Sequence, residues 1–164
     1  MTNKEFFEKT LKSEAPIFVK VLKAIPKDKL DYKPHEKART LGRIAFQLAS
    51  QPQFISAIVQ TGVPDFGEYR EPGNPDIGII TALAEKNFSK LQEDLRAVSE
   101  KEWENGTAKL EFPGGTWETK KYDMAWSFLF DAIHHRGQVT TYLRAIGAKV
   151  PSVYGGSADE KPSV

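Results

Sequence analysis

The sequence predicts an all-α fold: a four-helix bundle with a short hairpin or ordered loop inserted before the last helix. Three observations point there. Four segments repeat apolar residues at three- and four-residue spacing, the period of a helix with one buried face. At 164 residues the chain is long enough for one domain with a real core and short for two. Only one stretch, around Pro113-Gly114-Gly115, has turn residues flanked by Leu110, Phe112 and Trp117.

The first helix is expected over about residues 2–25. Thr2 and Glu5 have capping-box spacing, and Phe7, Leu11, Phe18, Val21 or Leu22, and Ile25 form its apolar face. Pro16 should bend or interrupt it, and Pro26 should end it. Residues 27–37 read as a polar connection. The second helix, about residues 40–60, starts on Thr40 as N-cap and buries Leu41, Ile44, Leu48, Ile55 and Val59. Pro52 is a kink site, and Gly62 is the residue just past its end. Residues 63–74 read as a long loop, long enough for a crossover connection.

The third helix is expected from Asn74 as cap and Pro75 at its first position, with a stripe of Ile80, Ala84, Phe88, Leu91, Leu95 and Val98. The fourth covers about residues 121–146 and stops at Gly147. Residues 148–164 form a tail with mobile last residues, so the single domain spans 1–164.

Composition narrows the function. Twenty-three basic and 22 acidic residues leave a net charge of +1, with no footprint for nucleic acid or an anionic membrane. No apolar run approaches the roughly 20 residues that span a bilayer. The N-terminus lacks the apolar core of a signal peptide, which makes cytoplasmic residence the expectation. Cysteine is absent, which excludes disulfides, thiolate ligands and a cysteine nucleophile.

The informative stretch is Asp131-Ala132-Ile133-His134-His135-Arg136-Gly137-Gln138. Asp131 and His135 stack one turn apart and interrupt a stripe of Met124, Phe128, Val139, Tyr142 and Ile146. A carboxylate and an imidazole facing a core need a metal ion, a second polar helix or each other. The pair reads either as an intrahelical contact or as part of a ligand site. Arg136 reads either as a structural ion pair with a neighbouring helix or as an anion clamp, and His134 as a structural or interface residue. Gly137, costly inside a helix, suggests close packing or room for a partner backbone.

His134-His135-Arg136-Gly137-Gln138, followed by Tyr142-Leu143-Arg144 and Gly147, resembles the last helix of the DinB/YfiT superfamily of four-helix-bundle proteins. Leu30-Asp31-Tyr32-Lys33-Pro34, Ala38-Arg39-Thr40-Leu41-Gly42 and the tail Lys149-Val150-Pro151-Ser152-Val153-Tyr154-Gly155 resemble other parts of it. The resemblance implies a divalent metal, nickel or zinc, held by one histidine of the second helix and two of the fourth. Carried over by position, those ligands fall on Gln47, Asp131 and His135, so one histidine of three remains. An amide oxygen is a weak ligand for these metals, and such a site should bind loosely or not at all. An Asp131–Gln47 hydrogen bond would satisfy both groups without metal.

Two functions follow from the resemblance. One is a metal-dependent enzyme, a thiol transferase or hydrolase acting on a small molecule or low-molecular-weight thiol. The other is a non-catalytic binding or scaffold bundle with a relict polar pocket. Under either, a homodimer is the expected assembly.

Overall fold

The computed structural model describes residues 1–66 and 76–162. Four long helices build the bundle: α1 (Asn3–Lys23), α2 (Leu41–Thr61), α3 (Ile77–Ala97) and α5 (Lys121–Ala145). A one-turn helix, α4 (Glu100–Asn105), and an antiparallel hairpin, β1 (Thr107–Phe112) with β2 (Gly115–Lys120), precede α5. No helix of the described residues is long and apolar enough to cross a membrane.

The caps follow local chemistry. Thr2 and Glu5 close a reciprocal capping box on α1. Thr40 accepts from the Arg43 amide at the start of α2. α3 starts later than the sequence suggested. Its cap is Asp76, whose carboxylate accepts from the amides of Gly78 and Ile79 at 2.7 and 3.1 Å. A carboxylate that takes two first-turn amides and complements the helix dipole is a sufficient start signal. Asn74 and Pro75 lie outside the described residues. Pro16 and Pro52 sit inside α1 and α2 without ending either. Each forfeits one backbone hydrogen bond, and packing on both sides of the proline carries the helix through.

α2 packs against α3 and α5, and α1 closes the ring against the same two helices. The crossovers are therefore not where loop length suggested. α2 and α3 are neighbours, while α1 to α2 and α3 to α5 cross the diagonal. The second crossing is where α4 and the hairpin are inserted. α4 was not foreseen; Ser99 caps it, accepting from the Glu102 amide. Its Trp103 is fully buried against Phe7 and donates from its indole to Asn3 Oδ1 at 3.0 Å. Gly62 ends α2 in the left-handed region (φ 77°), and its carbonyl accepts from Lys109 of β1 at 2.8 Å. A β-carbon there would meet the Thr107 carbonyl oxygen at 2.5 Å, so only glycine lets the helix end meet the hairpin.

α5 carries a buried charge. Arg136 is 1% exposed, pairs with Glu14 of α1, stacks over Phe18 and reaches Tyr154 Oη at 2.6 Å. This is the structural ion pair, not an anion clamp. Gly137, by contrast, faces open space, with no atom of the described chain near a would-be β-carbon. Close packing against the described residues is not its reason.

The tail is anchored to the bundle through Asp159 and Glu160. Asp159 accepts from Arg144 at 2.6 Å and the Val150 amide at 2.9 Å. Glu160 pairs with Lys20 at 2.7 Å and accepts from the Ser152 amide at 2.8 Å. Arg144 and the Val150 amide hold the Asp159 carboxyl below its ordinary range, and Lys20 and the Ser152 amide do the same for Glu160. Both groups bind a proton less readily in the fold than in the unfolded chain. Their contribution is therefore complete above the unfolded values, about 3.9 and 4.3, and is lost as pH falls through the lower folded ones. Limited proteolysis of the tail should rise on acidification below about pH 4, and Asp159→Asn should produce part of that rise at neutral pH.

Removing one partner of the buried pair should be costly. Arg136→Met is expected to lose about 3–5 kcal/mol in urea unfolding, and Glu14→Leu with Arg136→Met to recover most of it. A double variant no more stable than the single one would show that the pair is not what α5 depends on.

Candidate functional site between α2 and α5

Arg43, Gln47, Gln51 and Phe54 follow one another along a single face of α2. Opposite them on α5 stand Phe128, Asp131 and His135. The two faces enclose a half-open cleft of about 260 Å³. Phe54, Phe66 and Phe128 wall one end, with ring centroids of Phe66 4.7 Å from Phe54 and 6.2 Å from Phe128. Arg39, from the segment before α2, and Arg43 line the cleft as cations.

The three residues singled out in the sequence do meet. Gln47 Nε2 donates to Asp131 Oδ2 at 3.3 Å, and His135 Nε2 lies 3.5 Å from Asp131 Oδ1. A fourth residue, Gln51, was missed. It is 4% exposed and divides its amide between Asp131 Oδ2 at 3.1 Å and the Phe128 carbonyl at 3.0 Å. Its signal in the sequence is a glutamine one turn beyond Gln47, on the same face of α2. Arg39 was missed as well; its Nη1 donates to Gln47 Oε1. Tyr142 of α5 holds that segment in place by donating to the Arg39 carbonyl at 3.3 Å.

His135 Nδ1 faces Gln138 Oε1 at 2.8 Å, and the Gln138 amide nitrogen faces His134 Nε2 at 3.0 Å. His135 thus engages Gln138 through Nδ1 and turns Nε2 toward Asp131. His134 accepts from Gln138 and stays outside the cleft's polar floor.

Asp131 does not face a core. Its side chain is 48% exposed at the cleft mouth, and the most desolvated charge of α5 is Arg136, one residue beyond His135. The hundred-degree step between adjacent helical residues puts the two on different faces.

The donor set does not suit a metal held by Gln47, Asp131 and His135 together. An amide ligates through oxygen. Gln47 presents nitrogen to Asp131 and gives its oxygen to a guanidinium. Turning the amide over would set oxygen against carboxylate and NH₂ against Arg39, so charges on both sides fix its orientation. Among the described residues no three histidine, aspartate or glutamate side chains converge as a ligand group. Ser56 donates to buried Asp94, and Ser50 donates to the Phe46 carbonyl at 3.0 Å, so neither hydroxyl is turned to the cleft.

Because Asp131 is half exposed, its charge is cheap to keep and cheap to lose. Asp131→Asn should change unfolding free energy by less than about 1 kcal/mol in urea titration. A loss of several kcal/mol would place the carboxylate in a far drier setting than this.

The whole domain has known relatives. A crystal structure of a DinB-like protein from Bacillus cereus superposes with a TM-score of 0.71 at 24% identity, covering 92% of this chain and 97% of that one. One from Bacillus subtilis superposes with a TM-score of 0.69 at 17% identity, covering 88% and 95%. At these identities they bear on the fold alone. No functionally curated protein is significantly similar to the chain. The DinB family model matches residues 1–162, and the chain belongs to the DinB family.

Proposed function

We propose that this DinB bundle is a non-catalytic binding protein whose α2–α5 cleft takes a small molecule without a metal ion. The observation that carries the reading is the orientation of Gln47. Its amide bridges Arg39 and Asp131, occupying with hydrogen bonds the position where the family resemblance implies a histidine ligand. The guanidinium supplies a fixed positive charge beside the carboxylate, which weakens the site for a divalent cation. Among the described residues that line the cleft there is no serine or threonine, and cysteine is absent from the chain. The other reading, a metal-dependent transferase or hydrolase using nickel or zinc, needs Gln47 to release Arg39 and rotate.

Elemental analysis of protein purified without a metal-affinity column separates the two. The expected result is far less than one equivalent of nickel or zinc. Gln47→His combined with Asp131→His restores three imidazoles and should bind zinc stoichiometrically. One equivalent of metal in the unaltered protein, lost in His135→Ala, would overturn the reading.

A further inference from the structure

Resting on that reading, we infer that the cleft's ligand is a small zwitterion with an apolar side group, of which an apolar α-amino acid is the simplest case. At about 260 Å³ the cleft is smaller than the usual drug-sized site, which limits the ligand to a small molecule. Its chemistry is divided. The Arg39 guanidinium and the Asp131 carboxylate contact opposite ends of one carboxamide, Gln47, so two opposite charges stand a single amide group apart.

Both keep capacity for a ligand. A guanidinium has five N–H donors, and Arg39 is exposed. Asp131 is half exposed, and its two oxygens offer about four acceptor sites to the Gln47, Gln51 and His135 contacts. The third element is the wall of Phe54, Phe66 and Phe128, against which a hydrocarbon group loses water.

A simple anion would meet the Asp131 carboxylate, and a simple cation would meet Arg39; each arrangement puts like charges together. A molecule bearing both charges one tetrahedral carbon apart, with its hydrogen bonds added at each end, spans a gap of this kind. Carboxylate then goes to the guanidinium and ammonium to Asp131, while the side group turns to the rings. The alternation of cation, amide and aromatic along α2 is a consequence of one helical face carrying Arg43, Gln47, Gln51 and Phe54 in succession.

The test is NMR titration of the full chain with L-phenylalanine and L-leucine. Matched controls are 3-phenylpropionate, which lacks the ammonium, and phenethylamine, which lacks the carboxylate. At least one amino acid should shift the side-chain amides of Gln47 and Gln51 saturably, and the controls should bind at least tenfold more weakly than phenylalanine or leucine. Asp131→Asn should narrow the gap to phenylpropionate, and Arg39→Ala the gap to phenethylamine; both sites are exposed, and retained amide dispersion verifies the fold of each. Controls that bind as well as the amino acids, or no saturable shift from either amino acid at millimolar concentration, would overturn the inference. Metal content of the same sample distinguishes the cases: one equivalent of zinc or nickel sinks the parent reading, whereas metal-free protein blind to the amino acids sinks this one alone.

Discussion

The buried pair of Arg136 and Glu14 sets the rotational phase of α5, and the α2–α5 cleft depends on that phase. A guanidinium taken out of water is tolerated only with a partner and further hydrogen bonds. Glu14, Tyr154 and the face of Phe18 provide them, from α1 and from the tail. With Arg136 directed to α1, His135 and Asp131, about 100° and 140° away around the helix, are directed to α2. The unusual charge of the last helix is thus structural, and the pair beside it is left at a solvent-facing seam.

That seam is closed by hydrogen bonds. Asp131 takes amides from two glutamines one turn apart, and the first of them, Gln47, is held from behind by Arg39. Among the described residues no buried side-chain polar atom lacks a hydrogen-bond partner. Glutamine and aspartate, at positions where the family resemblance implies histidines, do more than weaken a ligand set. They change the currency of the site from lone pairs directed at one point to a chain of donors and acceptors, with a dipole running from guanidinium to carboxylate. A cleft so polarised, with phenyl rings at one end, is suited to recognition.

Much of the bundle was legible because its signals are local. Apolar residues at helical spacing identified the cores of α1, α2 and α3, and Thr2 with Glu5 and Thr40 marked two starts by short-range bonds that need no tertiary context. The start of α3 was misplaced because Asn, Pro and Asp all stand within three residues, and only folded geometry selects Asp76. α4 is too short for a periodic pattern and exists because Trp103 is buried. The docking of the tail rests on Asp159 and Glu160 meeting Arg144 and Lys20, pairings between distant positions that composition does not reveal.

The candidate site was half legible. Gln47, Asp131 and His135 meet, but the exposed mouth they share was read as core. The cause is Arg136: a buried arginine and an exposed Phe130 (59%) blur the apolar stripe of α5, so the polar pair looked more buried than it is. The most direct test of this account is the response of the Gln47 and Gln51 side-chain amides to zinc in a ¹⁵N-correlated NMR spectrum. Hydrogen-bonded amides on a carboxylate should stay shifted from free glutamine and unmoved by one equivalent of zinc. Stoichiometric shifts of Gln47 together with the His135 ring would contradict it, because they would show the amide turned over to bring its oxygen onto a metal.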